Sequence, residues 1–162
     1  MESKKPFINI IKDANYEESD NGPFKESFFP ISELIGAKKL AYSTMVLEPG
    51  FKACPFHNHH VNEEMFLVLS GSGTLRFGEQ TYQIEKDDII ACPPGGQELA
   101  HQIINTGSEA MTVLCVSTNE AVDICEYPDS QKTLSMAGPQ GNRSFRHMAR
   151  LGEKVDYFEG ES

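Results

Sequence analysis

The sequence predicts an all-β chain built on one antiparallel jelly-roll barrel, flanked by an arm at each end. Three observations predict it. Between residues 40 and 118, short apolar and β-branched runs recur at strand length, and Gly, Pro or Asn/Asp separate them. Eight or so short strands at this spacing imply a sandwich or barrel, not a parallel sheet with helices. At 162 residues the chain has the size of one ordinary domain.

Residues 1–39 read as an N-terminal arm. Residues 7–11 suggest a short strand, 15–22 are polar and acidic, and Phe24, Phe28, Phe29 and Ile31 supply apolar anchors for one end of the core. Pro6, Pro23 and Pro30, with few positive charges, argue against a helical DNA reader. The barrel, residues 40–118, opens with a strand over 40–48 that stops at Pro49-Gly50, a turn signal. Strands over 65–69 and 74–77 are predicted to form a tight hairpin through Ser70-Gly71-Ser72-Gly73. Gly78-Glu79-Gln80 turns the chain into 81–84, and 88–92 follows before the turn at 93–96. The runs 101–105 and 110–118 flank Thr106-Gly107-Ser108, another hairpin signal. Past Asn119 the alternation ends, and 119–162 reads as a C-terminal arm. Tyr157 and Phe158 are expected to anchor its tail on the barrel or on a partner subunit.

Chemistry concentrates at residues 50–71. Side chains two apart on a strand share a face, so His57 and His59 can reach one point in space. Glu64 follows after room for a tight turn, and two imidazoles with a carboxylate suit a first-row transition metal. Downstream, His101 and Asn105 are four apart and would share a face of their strand.

These residues resemble the cupin superfamily. Its first motif is matched by Gly50, His57-x-His59, Glu64 and Gly71. Its second is matched by Pro93-Pro94-Gly95, His101 and Asn105, with two departures. Asp87 stands where the family has a glycine, and the spacer before His101 is longer than usual. The resemblance covers roughly residues 40–118. It implies a double-stranded β-helix and the metal ligands His57, His59, Glu64 and His101, holding one divalent ion of Fe, Mn, Ni or Zn. The tail segments Tyr127-Pro128-Asp129-Ser130 and 156–161 are similar to those of small, single-domain bacterial cupins. That subgroup is largely without assigned activity, and some members carry sugar-isomerase names.

Other residues are weighed by their faces. His60 should point away from His59, Glu63 competes with Glu64 for the carboxylate role, and His147 reads as a surface histidine. Arg76 would bind an anionic substrate group if its strand face is interior, and is otherwise an ordinary exposed arginine. Asn105 is expected to support the site by hydrogen bonding, and Gln102 to face away from His101 with no role. Cys54, Cys92, Cys115 and Cys125 form no CxxC pair and are expected to be free, packed thiols.

A formal net charge of −10, from 14 Lys plus Arg against 24 Asp plus Glu, argues against nucleic-acid or anionic-membrane partners. No apolar run approaches the roughly 20 residues of a spanning helix. The start does not read as a secretory signal, so the expected location is cytoplasmic. Aromatics in both arms, more than a small barrel covers alone, point to a homodimer. The functional expectation is a metal-dependent isomerase, lyase or dioxygenase acting on a small polar metabolite. The alternative is a non-catalytic module that binds a small ligand.

Overall fold

The structure, a computed structural model, describes residues 5–139, 141–152 and 154–161. Its described part is almost all β, with antiparallel strands in the double-stranded β-helix (jelly-roll) arrangement that the resemblance implies. A six-stranded sheet runs in the order β1 (Glu17–Asn21), β2 (Phe24–Pro30), β3 (Leu40–Leu47), β10 (Met111–Thr118), β5 (Glu64–Ser70), β8 (Ile89–Cys92). A three-stranded sheet is ordered β7 (Gln80–Glu85), β6 (Ser72–Phe77), β9 (His101–Ile104). A four-stranded sheet is ordered β13 (Phe145–Arg150), β12 (Lys132–Ala137), β11 (Val122–Tyr127), β4 (Asn58–His59). One short helix, α1 (Ser32–Ile35), ends at Gly36, whose φ of 78° is left-handed. No helix among the described residues is long and apolar enough to cross a membrane.

The core lies between the facing sheets. Leu47, Val68, Met111 and Val113 are fully buried, and Val68 pairs directly with Val113 across β5 and β10. Burying each such side chain is worth about 1.5–3 kcal/mol. Ile84, Leu75 and Ile103 close the core from the three-stranded sheet.

Both expected hairpins at glycine turns are corrected. β5 pairs with β10 and β8, whereas β6 pairs with β7 and β9, so the turn at Gly71 carries the chain from one sheet to the other. Gly71 has φ 79°, and a Cβ there would sit 2.7 Å from Ala110 O. The turn at Thr106-Gly107-Ser108 does the same between β9 and β10. A glycine turn permits a hairpin or a sheet crossing; burial of both flanking strands selects the crossing here. By contrast, the turn at Gly78 is a true hairpin joining β6 and β7.

The segments outside 40–118 contain strands. β1 and β2 form a hairpin about Gly22 and extend the six-stranded sheet, whereas residues 7–11, expected as a strand, form none. β11 pairs with β4 and builds the third sheet from the C-terminal side. Tyr157 and Phe158 pack edge to face at 4.9 Å but are 86% and 73% exposed, so they do not anchor on this chain's barrel.

Asp87 explains its own oddity. Its φ is 75°, a left-handed conformation that glycine adopts freely and most residues do not. Asp87→Gly should therefore fold normally and gain up to about 1 kcal/mol, read as a raised denaturation midpoint at unchanged slope.

Candidate metal centre

Four residues from three chain segments meet at one point. His57 precedes β4, His59 lies within it, Glu64 opens β5, and His101 opens β9. The backbone enforces the meeting. His57 and His101 exchange both main-chain hydrogen bonds, at 3.2 and 2.7 Å. Gly95 N donates to His59 O at 2.8 Å. The long spacer before His101 is absorbed by a 3-10 turn at Gln97–Leu99, which returns the chain to this bridge.

The side chains converge on Glu64. Its Oε2 lies 3.0 Å from His101 Nε2, 3.4 Å from His59 Nε2 and 3.6 Å from His57 Nε2. Adjacent ligands of a six-coordinate ion with bonds of about 2.1 Å stand about 3.0 Å apart, so these separations suit such an ion. Ligand atoms of His57, His59 and Glu64 all fall within 4.8 Å of one another, and His101 joins through Glu64.

The opposite ring nitrogens strengthen the fit. His57 Nδ1 faces Pro55 O at 2.9 Å, His59 Nδ1 faces Asp123 Oδ2 at 2.6 Å, and His101 Nδ1 faces Leu99 O at 3.2 Å. Each oxygen is an acceptor, so each Nδ1 carries a proton, and the neutral ring turns the Nε2 lone pair to the centre. This donor set fits a divalent transition metal.

Without an ion, protons take its place. Burial would lift the Glu64 carboxyl, but hydrogen bonds from His101, His57 and His59 hold it well below the usual range. Burial disfavours charge on His57, yet Cys54 beside Nδ1 and Glu64 at Nε2 hold it well above ordinary histidine. His59 is opposed by burial too, and Asp123, Cys125 and Glu64 together push it up to about 12.

Asp123, on β11, was not legible as part of the site. It is fully buried; Oδ2 accepts from His59 and from Asn62 Nδ2 at 2.7 Å, and Oδ1 from Val61 N at 3.1 Å and Ile124 N at 2.9 Å. Burial opposes its charge, but His59 and Asn62 hold its carboxyl below the usual range. Cys125 follows on the same strand, with Sγ 3.2 Å from His59 Nδ1. The available signal was a buried-polar alternation in Val122-Asp123-Ile124-Cys125, with the apolar residues turned outward.

The structure places three further residues away from the metal cluster or in roles the sequence did not assign. Arg76 does not border the cavity beside the cluster; its guanidinium pairs with both oxygens of Asp129, at 2.6 and 2.8 Å, and lies 3.6 Å over the Phe56 ring. Asn105 is fully buried away from the cluster, tying Leu47 O and Glu109 O together at 2.6 and 2.8 Å. Gln102 is buried and borders the cavity, donating to Cys54 O at 2.6 Å, because the loop before His57 covers that side of β9. His60 turns outward to Glu126, 3.2 Å away, and His147 is exposed on β13. The four cysteines are free, and burial pushes the Cys92 and Cys115 thiols up.

A cavity of about 300 Å³ opens beside the cluster. His57, Glu64 and His101 border it, together with Phe28, Ser43 and Ser117.

The cupin domain profile matches residues 43–117. An uncharacterized protein of Methanocaldococcus jannaschii is 31% identical over 113 residues, covering 70% of this chain and 78% of that protein. Auxin-binding protein 1 of Arabidopsis thaliana is 33% identical over 133 residues, or 76% of this chain, which spans 65% of its length. Among solved structures, a candidate sugar phosphate isomerase of Acidithiobacillus ferrooxidans superposes with a TM-score of 0.82 at 23% identity, covering 96% of this chain and 98% of that one. A sugar phosphate isomerase of the cupin superfamily from Silicibacter pomeroyi superposes with a TM-score of 0.78 at 20% identity, covering 94% and 98%. Motifs, fold and relatives agree: the chain belongs to the cupin superfamily.

Proposed function

We propose that this chain is a metal-dependent enzyme of isomerase type, acting on a small hydroxylated metabolite. The observation behind this reading is the convergence of three Nε2 atoms on the Glu64 carboxylate, each ring fixed through Nδ1, beside an open cavity. A volume of about 300 Å³ is at the lower end for ligand pockets, which favours a small metabolite. A divalent ion held by His57, His59, Glu64 and His101 would supply Lewis-acid polarisation of a substrate carbonyl. Iron, manganese, nickel and zinc all suit the donor set.

The chain's own residues do the rest. Ser43 and Ser117 offer hydroxyls to a polar ligand, while Phe28, Phe66 and Ile103 make the wall apolar and limit water. The names of the two similar structures favour isomerisation over lyase or dioxygenase chemistry. Elemental analysis, then chelation and reloading with each metal in turn, tests the premise. A protein that takes up none of the four would end the enzyme reading.

A second reading is favoured by the auxin-binding name of the Arabidopsis relative: a cavity that binds a ligand without turning it over. Calorimetry showing saturable binding to the metal-loaded protein, with no chemical change in the ligand, would select it.

We also propose a homodimer. Val122, Ile124 and Phe145 are exposed on one face of the sheet that joins β11, β12 and β13, and such patches mark interfaces. Light scattering at micromolar concentration should give twice the 18.0 kDa chain mass; a strict monomer contradicts it.

A further inference from the structure

Glu26 stands on β2, outside the segment that carries the metal motifs. It borders the same cavity as His57, Glu64 and His101, and Phe28, two residues on, borders it too. Phe28 pairs with Met45 of β3, whose side chain also lines the cavity, so this face of the six-stranded sheet is interior. Two other acids of the β1–β2 hairpin find partners: Ser27 Oγ donates to Glu18 at 2.7 Å, and Lys25 pairs with Asp20 at 2.9 Å. Glu17 is exposed to solvent. Half-buried Glu26 has no hydrogen-bond or ion-pair partner among the described residues. A carboxylate left unpaired in a partly apolar cavity costs free energy, so folding alone gives no reason for it.

The other titratable groups of the cavity are committed. Glu64 faces three imidazoles, and His57 and His101 point Nε2 at Glu64. Cys54 lies against His57 Nδ1 at 3.5 Å, and the Cys115 thiol is pushed up by burial. Glu26 differs, because burial lifts its carboxyl above the ordinary glutamate range with nothing opposing the lift. Two carboxyls in one cavity are thus driven apart: one stays ionised among imidazoles, the other is poised to exchange a proton.

We propose that Glu26 is the acid–base catalyst of this cavity, moving a proton between adjacent carbons of a hydroxy-carbonyl substrate whose oxygens face the metal cluster. This rests on the isomerase reading. The Glu26 carboxylate takes the proton from the hydroxyl-bearing carbon. The freed C–H pair forms the C=C bond of an enediolate, and the carbonyl π pair moves onto its oxygen. The hydroxyl proton passes to that neighbouring oxygen. A new carbonyl then forms at the first carbon, as the C=C pair takes the proton back from Glu26 at the second. Carbon, hydrogen and electrons balance, no oxidant is needed, and Glu26 ends ionised as it began.

The test uses the full chain loaded with manganese, nickel, iron or zinc, with aldose and ketose phosphates from trioses to hexoses in D2O. NMR reads deuterium entering beside the carbonyl. Metal content and Tm are measured on the same samples. The wild-type protein should exchange at least one sugar. Glu26→Gln should slow that exchange by about 100-fold or more, with metal content unchanged and Tm equal or higher, and Glu26→Asp should restore part of the rate. Exchange at the wild-type rate in Glu26→Gln overturns the assignment and leaves the isomerase reading standing. Metal loss in that variant overturns it too, since Glu26 would then serve the ion. If the metal-loaded wild type exchanges none of the sugars, the isomerase reading falls, and the role of Glu26 falls with it.

Discussion

Replacing His59 by alanine is expected to strip the metal from the purified protein, and replacing His60 by alanine to leave it bound. The two are neighbours in sequence with opposite surroundings. His59 presents Nε2 to Glu64 at 3.4 Å, whereas His60 turns out to Glu126. Loss of an outer partner of a metal ligand typically costs 10–100-fold in affinity, so loss of the ligand should exceed about 100-fold. His57→Ala should match it. If His101→Ala leaves affinity unchanged by metal titration, that histidine is a neighbour and the site has three ligands. Protons compete for the same nitrogens. Because His57 and His59 hold protons more tightly than ordinary histidine, metal affinity should fall as pH falls, beginning above the reference pKa of about 6.5. Calorimetry in buffers of different ionisation enthalpy should detect the protons released on binding. Stability of the metal-free fold runs the other way. The gain from His59 is complete below its unfolded pKa and is lost as pH rises through about 12.

The second large effect belongs to Asp123. Asp123→Ala should destabilise the metal-free protein by about 3 kcal/mol, because it breaks an ion pair whose aspartate is fully buried and strands its donors. Among them are Asn62 Nδ2 and the main-chain N–H groups of Val61 and Ile124. Asp123→Asn preserves shape and should fold better, yet still lower metal affinity by roughly 10–100-fold, since a neutral amide makes His59 a poorer donor. Denaturation and metal titration of both variants check this. Wild-type affinity in Asp123→Asn would reduce the aspartate to a packing role. The stabilising contribution of Asp123 itself is present above its unfolded pKa and lost as pH falls through its lowered folded value.

The strand pattern, the barrel class and the pairing of His57 with His59 were legible, because HxH alternation and glycine-bounded strands are local signals. Glu64 over Glu63, and His101 as a fourth ligand, were legible only through the motif resemblance. Which strand pairs with which was not legible. Gly71 and Gly107 lie in turns that pass between sheets, and long-range pairing decides that: β5 joins β10, whereas β6 joins β9. Gln102 shows a limit of period-2 reasoning. It does point away from one face of β9, but residues before His57 cover that side as well. Asp123 was hidden because β11 exposes Val122 and Ile124 and buries its polar residues, the reverse of the usual reading. Arg76 found its acid in Asp129, on the 3-10 turn at Pro128–Ser130; the turn is a local signal, but its position beside β6 is set by long-range packing. The Asp87 departure proved readable only with φ in hand.

β4 is two residues long, and its partner in the third sheet is β11, downstream of the profile-matched barrel. That pairing separates the invention of the site from its tuning. Substitutions in β11 can alter the basicity of His59 and the charge around the ion while all four motif residues stay fixed. Descendants of one barrel could therefore diverge in metal preference through their C-terminal strands alone, a route that comparing only HxH and Glu motifs would miss.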